Sequence, residues 1–381
     1  MSLEPMPEEA MGQADAADRR PGPELTIVLP TMNEHDNIVP MVAALRKVLA
    51  GIRWEAIFVD DDSQDGTRAE IARVNAVDNR VRCLHRVGRR GLSSACIEGI
   101  QASQSPYVAV MDADLQHDEA LLPRMLATLR DEPVDLVVGS RYVDGGGIGD
   151  WNAKRASISN IATRLGQAVL RVHVADPMSG FFMVRRETFD RIMPRMSAVG
   201  FKILVDLLAS APEPLRVREL PFKFRLRHAG ESKLDAFVVW EYLVLLADKV
   251  FGHIVPVRFV LFCLVGFIGL GVHLLVLWLG LAAALSFGVA QTVATLVAMV
   301  GNFVLNNFLT YSDRRLKGRR FLQGLLSFCA ICAIGLVANV GIAKLLFARE
   351  HSSWWLAGAA GAALSSVWNY AVSSVITWKR K

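Results

Sequence analysis

The chain has 381 residues, 52% of them hydrophobic, and a mean hydropathy of +0.32, which is high for a wholly soluble protein. The length favours more than one domain. The net charge of +5 does not point to nucleic acid: residues 253–381 carry 11 Lys and Arg against 2 Asp and Glu, and residues 1–252 carry 31 against 35.

Residues 1–24 are acidic and Pro-containing, with no apolar core and no signal-peptide pattern, and are predicted to form a disordered tail. From Leu25 onward, short β-rich runs alternate with amphipathic stretches. Strands are predicted at Leu25–Leu29, Trp54–Val59, Val81–His85, Tyr107–Met111 and Asp135–Val138, and helices at about 36–50, 66–77, 91–104 and 118–130. This βαβα order predicts a Rossmann-like α/β domain with a mainly parallel sheet. Such sheets bind ligands beyond the carboxyl ends of their strands. Three polar clusters fall there: Pro30-Thr31-Met32-Asn33-Glu34, Asp60-Asp61-Asp62-Ser63-Gln64-Asp65-Gly66-Thr67 and Asp112-Ala113-Asp114-Leu115-Gln116-His117. One cluster could be turn or cap chemistry, but three on one edge point to a site.

The Gly-rich run Gly145–Gly149 is either a mobile lid or a connector. A helix is expected at 153–171, with Lys154 and Arg155 near its start. Asp176-Pro177-Met178-Ser179-Gly180 then leads into a strand at Phe181–Val184, a helix at 200–210 and a strand at 216–225. Residues 234–252 form a helix with Glu241, Asp248 and Lys249 on an otherwise apolar surface. It suits the membrane interface, or plain packing on the domain.

Phe259–Ser312 is 54 residues without Asp, Glu, Lys or Arg, room for two spans at roughly 20 residues each. Phe321–Ala343 and His351–Trp378 supply a third and a fourth. Arg314, Arg315, Lys317, Arg319 and Arg320 lie between the second and third spans, and Lys379, Arg380 and Lys381 follow the fourth. The positive-inside bias makes both basic segments cytoplasmic, together with the C-terminus and the N-terminal domain. The stretches Asn302–Tyr311 and Asn369–Trp378 match in polar and apolar pattern at an offset of 67, so the second pair of spans is expected to duplicate the first. The Asn residues mark either a polar pathway or helix–helix hydrogen bonding. Cys329 and Cys332 lie within a span with no second pair and are read as packing residues.

Asp112 and Asp114 are two apart at a strand end and project to one side, and Gln116 continues the spacing. An all-oxygen set of this kind suits Mg²⁺ or Mn²⁺, which would neutralise a diphosphate leaving group. Asp60 and Asp61 fit hydrogen bonds to a base or ribose, while Asp62 and Asp65 fit caps on the following helix. Arg227, Gly230, Ser232 and Lys233 form a cationic Gly-containing loop suited to a diphosphate or to lipid headgroups. Arg141, Arg155 and Ser159 could hold a second phosphate. No Ser-His-Asp or Cys-His arrangement stands out. A phosphate monoester acceptor, with a second pKa of ~6, would need no general base.

In this order and spacing, PTMNE, VDDDSQDG, MDADLQH, GSRY and RHAGESK resemble the family 2 glycosyltransferases of the dolichol-phosphate mannose synthase group, over about residues 24–252. The resemblance implies a GT-A fold, an inverting mechanism and a divalent metal. It implies nucleotide-sugar contacts from Pro30, Met32, Glu34, Val59, Asp61, Asp112 and Ala113, and metal ligation by Asp114 and Gln116, beside Asp112. Arg227 and Lys233 would grip the donor diphosphate, and Arg141, Arg155 and Ser159 the lipid phosphate, which makes Asp114, Arg141, Arg227 and Lys233 the catalytic set. Two departures stand out. Met32 occupies a position where an aromatic is common, and DPMSGFF replaces a D-x-TGGF-like run.

Residues 253–378 resemble the GtrA-like four-span module. The expected organisation is a tail (1–24), a GT-A domain (25–233), an interfacial helix (234–252) and a four-span domain (253–381). The expected reaction moves mannose from GDP-mannose to a polyprenyl or dolichyl phosphate. UDP-glucose or another UDP-hexose is the alternative donor, and membrane lipids are the other partner. A module that flips the lipid-linked product is a further alternative. A dead transferase is opposed by the intact motifs.

Overall fold

The computed structural model describes residues 22–147, 167, 170–197, 200–225, 236–251, 256–311, 314–350 and 354–379. The chain divides into two compact units, Met1–Val250 and Phe251–Lys381.

The first unit is built on seven strands: β1 (Leu25–Thr31), β2 (Trp54–Asp60), β3 (Val81–His85), β4 (Tyr107–Val110), β5 (Leu136–Ser140), β6 (Phe182–Arg185) and β7 (Val217–Pro221). Its helices are α1 (His35–Val48), α2 (Thr67–Asn75), α3 (Leu92–Gln101), α4 (Leu122–Asp131), α5 (Arg186–Ile192), α6 (Ile203–Ser210) and α7 (Ala236–Phe251). The sheet order is β3-β2-β1-β4-β6-β5-β7. β1, β2, β3 and β4 are mutually parallel, as are β5 and β7, whereas β6 runs antiparallel to both β4 and β5. The sheet is thus mixed but mostly parallel, with the one reversed strand, β6, between β4 and β5.

Alternation along each strand explains the layering. Ile27, Leu29, Ala56, Phe58, Ala109, Met183 and Val137 face one apolar layer with α1, α2 and α4. Val28, Ile57, Val59, Val108, Val110, Leu136, Val138, Phe182 and Val184 face the other with α3, α5 and α6. The first five strands and the four helices after β1–β4 lie where the sequence predicts them, within a few residues at each end. The strand expected at 216–225 is shorter, and α5 was not expected. Residues 1–21, 151–166 and 226–235, which carry most of the expected tail, most of the helix expected at 153–171 and the cationic loop, lie outside the described residues.

Helix α7 docks on its own domain. Tyr242, Leu245 and Leu246 pack with Val205 of α6 and with Met178. The Lys249 ammonium turns inward to the fully buried Asp206 carboxylate at 2.6 Å, and the Ser197 hydroxyl donates to Asp248. Two of the three charges noted on this helix therefore hold it to the sheet domain.

The second unit contains α8 (Val257–Ala282), α9 (Phe287–Leu305, continued by a π-helical turn Asn306–Thr310), α10 (Arg319–Glu350) and α11 (Trp354–Val375). Among the described residues, Val257–Ala282 and Phe287–Thr310 are long and apolar enough to cross a membrane. The 67-residue repeat is visible in the packing. Asn302 of α9 lies against Gly269 of α8, and Asn369 of α11 lies against Gly335 of α10. Tyr311 and Trp378, equivalent positions of the two copies, stack on each other with centroids 4.2 Å apart and planes 6° from parallel. The Trp378 indole N–H donates to Asn307 Oδ1, which also accepts from the Leu316 amide.

Gly99 on α3 sits where helix and sheet approach most closely: an added Cβ would overlap Val28 and fall 2.8 Å from Val59 Cγ2. Gly99→Ala should therefore destabilise the first unit by about 1–3 kcal/mol through overpacking. A double-mutant cycle with Val28→Ala, followed by thermal unfolding, should show favourable coupling because the lost methyls make room. Additive effects would mean that the contact is not tight.

Candidate active site

The first two polar clusters are stitched into one surface by their own backbones. The Asn33 amide donates to Ser63 Oγ at 2.8 Å, and the Gln64 amide donates back to Asn33 Oδ1 at 3.0 Å. The Glu34 amide donates to Thr67 Oγ1, and the His35 amide to Asp65 Oδ2. Asn33 and Asp62 take left-handed backbone conformations that fold the loops together. Asp65 also accepts from the Thr67 amide at the start of α2, although the N-cap position itself is Gly66, which offers no side-chain cap. Asp62 instead pairs with His85 at 3.1 Å. Asp60 is fully buried and accepts from the Ser63 amide and hydroxyl, which closes the turn after β2.

Asp61 is also buried. It accepts from Arg86 Nη1 at 2.6 Å and from the Gly91 amide at 2.7 Å. Burial raises its pKa, against the opposing pull of Arg86 and Gly91. Arg86 is almost wholly enclosed and also donates to Ser94 Oγ and the Gly91 carbonyl. The β3–α3 loop is thereby clamped to Asp61. Pro30, Met32 and Glu34 are half-buried beside this edge, and Glu34 Oε2 accepts from Asn37. Val59 and Ala113 are buried in the core.

The third cluster follows β4. Asp112 keeps 40% of its side chain exposed, whereas Asp114 is buried and its Oδ1 accepts from the Gln116 amide at 3.1 Å. Gln116 Nε2 donates to the Arg225 carbonyl, and the Arg225 amide donates to the Gln116 carbonyl. Leu115, with φ +63°, supplies the reversal. Asp61 and Asp112 belong to the same edge: after burial itself, these two carboxylates contribute to the raised pKa of the enclosed Cys96. No group of three His, Cys, Asp or Glu suited to a metal ion occurs among the described residues. The oxygen donors of Asp112, Asp114 and Gln116 instead fit a hard divalent ion that completes its shell with phosphate and water.

His117 was not expected as a site residue. It is buried among Phe181, Phe222 and Phe224, and burial pushes its pKa down to about 4. The aromatic residues at 181, 222 and 224 were visible in the sequence, but their convergence depends on the reversed β6.

Arg141, at the end of β5, makes a bidentate pair with fully buried Asp176: Nε to Oδ2 at 2.7 Å and Nη2 to Oδ1 at 2.8 Å. Burial opposes its charge, but the Asp176 bonds hold its pKa above the ordinary value, with a further contribution from Asp112. Asp176 is held in turn by its own amide and that of Ala175, both donating to Glu219 of β7. Lys202 reaches the Met178 carbonyl at 3.4 Å. The structure thus gathers Asp61, Asp112, Asp114, Gln116 and Arg141 on one edge. Arg155, Ser159, Arg227 and Lys233 lie outside the described residues. The sequence reading missed Asp176 and Arg86 as the partners of Arg141 and Asp61. Asp176 belongs to the departing DPMSGFF run, which was the available signal.

Residues 26–193 match the family described as glycosyl transferase family 2, and residues 261–378 match the GtrA/DPMS transmembrane domain. A dolichol-phosphate mannosyltransferase from Pyrococcus furiosus is 32% identical over 360 residues, covering 93% of this chain and 99% of that protein. Its namesake from Saccharomyces cerevisiae is 37% identical over 232 residues, covering 58% of this chain and 84% of that protein. A third, from Mycosarcoma maydis, is 35% identical over 253 residues, covering 64% and 85%.

Removing one partner of a buried pair strands the other charge, typically at a cost of about 3–5 kcal/mol. Asp176→Ala should lower the apparent Tm of the detergent-solubilised chain by roughly 10 °C. An unchanged Tm would show that the Arg141 guanidinium finds equivalent partners without Asp176.

Proposed function

The chain belongs to glycosyl transferase family 2 and carries a GtrA/DPMS transmembrane domain, and on that premise we propose that it transfers mannose from GDP-mannose to a polyprenyl phosphate at the cytoplasmic face of a membrane. The observation that carries this reading is the shared edge of Asp61, Asp112 and Asp114 with the buried, Asp176-oriented Arg141. The carboxylate side suits a nucleoside diphosphate through a divalent ion. The guanidinium side suits a second phosphate, that of the acceptor.

Each group then has a task. Asp61 and the half-buried Pro30, Met32 and Glu34 line the nucleoside end. Asp112, Asp114 and Gln116 would hold Mg²⁺ or Mn²⁺, which when bound offsets the charge of the diphosphate leaving group. Arg141, its fork fixed by Asp176, orients the lipid phosphate. A phosphate oxygen attacks the anomeric carbon, the bond from that carbon to the diphosphate breaks, and the nucleoside diphosphate leaves with the electron pair. Configuration inverts in this single displacement. At neutral pH the acceptor is mostly ionised already, with a second pKa of ~6, so the reaction needs alignment and charge stabilisation more than a base. His117, buried with a pKa near 4, is suited to structure and not to proton transfer at pH 7.

The membrane unit anchors the enzyme beside its lipid acceptor. Four spans with a cytoplasmic C-terminus fit the basic residues at 314–320 and 379–381. A reporter after Lys381 or within 313–320 should be cytoplasmic, and one near Ser286 should face the other side. An extracytoplasmic C-terminus would overturn this topology.

The activity is tested with the full chain in lipid vesicles, a panel of radiolabelled nucleotide sugars and undecaprenyl or dolichyl phosphate. Label from GDP-mannose should enter the lipid product, and Asp114→Ala should cut the rate by about 100-fold or more. Preference for a UDP-hexose would correct the donor. Near wild-type transfer by the variant with Mg²⁺ or Mn²⁺ present would overturn the assignment of the carboxylate edge.

A further inference from the structure

His117 sits in a pocket that an apolar side chain would fill. Its ring stacks on Phe181 with centroids 5.2 Å apart and planes 16° from parallel, and Phe222 and Phe224 meet it edge-on at 5.7 Å each. Burying an imidazole among three phenyl rings is unfavourable unless its nitrogens have work to do. Both nitrogens face the same residue. Nδ1 accepts from the Asp112 amide at 3.1 Å. That bond places the ring proton on Nε2, which faces Asp112 Oδ2 at 3.8 Å. The second separation exceeds a hydrogen bond, so the backbone bond is the tether and the Nε2–H adds a dipole aimed at the carboxylate.

The tether closes the 112–117 loop onto its own first residue. Leu115 supplies the left-handed reversal, and the Gln116–Arg225 hydrogen bonds fix the far side. Gly180 closes over the top: a Cβ there would stand 3.4 Å from both Asp112 Oδ2 and His117 Cε1. The half-exposed Asp112 carboxylate is thus aimed by a residue that does not itself reach the open edge.

We propose that His117 is a positioning residue, whose Nδ1 acceptor sets the main chain and carboxylate of Asp112 for the divalent ion and the donor diphosphate. This rests on the reading of Asp112 and Asp114 as the metal edge. It predicts that what matters at position 117 is an acceptor aimed at the Asp112 amide, beyond ring volume. His117→Phe keeps the stack and removes the acceptor. His117→Asn places an amide oxygen near the position of Nδ1 and restores it.

The test uses the full chain in detergent. Mn²⁺ binding is followed by electron paramagnetic resonance in the presence of GDP, with the melting temperature and the kcat and KM for GDP-mannose measured on the same samples. His117→Phe should weaken Mn²⁺ binding by roughly 10–100-fold, the usual effect of losing an outer-shell partner, while melting close to the wild type. His117→Asn should recover most of that affinity. Wild-type Mn²⁺ affinity in His117→Phe would overturn the proposal, leaving His117 as core packing. Equal loss in both variants, with a matching fall in melting temperature, would overturn it too. A wild-type chain that binds no Mn²⁺ with GDP would refute the metal edge itself, and the positioning role with it.

Discussion

A guanidinium enclosed by protein must keep a counter-charge, and the pair of Arg141 with Asp176 meets that requirement at the centre of the site. The pair joins the end of β5 to the segment that enters β6. The Asp176 and Ala175 amides then reach Glu219 on β7, so three strands are bound into one edge by a single chain of charged hydrogen bonds. Ser179 completes the turn, donating to the Gly139 carbonyl and accepting from the Phe181 amide. The orientation of the Arg141 guanidinium depends on this scaffold, because a bidentate fork allows it little rotation.

The part of the edge formed by the first two polar clusters is organised differently. Its loops are held mainly by backbone amides on side-chain oxygens, as in the reciprocal bonds of Asn33, Ser63 and Gln64. Asp61 is committed to Arg86 and the Gly91 amide, which ties the β3–α3 loop to the end of β2. The third cluster touches the segment that follows Asp176, since Phe181 stacks on His117 and Gly180 lies beside Asp112. The docked helix α7 packs against Met178, two positions from Asp176.

Much of this was legible in the sequence, for physical reasons. Parallel strands buried on both faces leave continuous apolar runs such as LTIVL and YVAVM, and their carboxyl ends are where ligands bind. Asn302 and Asn369 showed the duplication of the membrane half, because polar residues in apolar helices are conspicuous. Other features depend on tertiary contacts. Phe181–Val184 reads as a strand, and a strand forms at Phe182–Arg185, but nothing local sets its antiparallel direction. Helix α5 has seven residues, too few to show a helical period, and begins Arg-Glu-Thr. The sequence set Asp62 apart as a cap but left Asp60 and Asp61 alike, and the fold separates all three into a turn acceptor, an Arg86 partner and a His85 partner. The inward turn of Lys249 and the stacking of Tyr311 on Trp378 likewise need the assembled fold.

The central claim is that an already ionised phosphate on the lipid is the nucleophile and that the protein supplies orientation without a base. The direct measurement compares initial transfer rates from GDP-mannose to a polyprenyl phosphate and to the corresponding polyprenol, at equal concentration in the same vesicles. Label should appear only in the phosphate-containing acceptor, recovered as a lipid with one phosphate between mannose and polyprenol. Comparable transfer to the free alcohol would contradict it, because a hydroxyl must lose its proton to a base that the account does not provide.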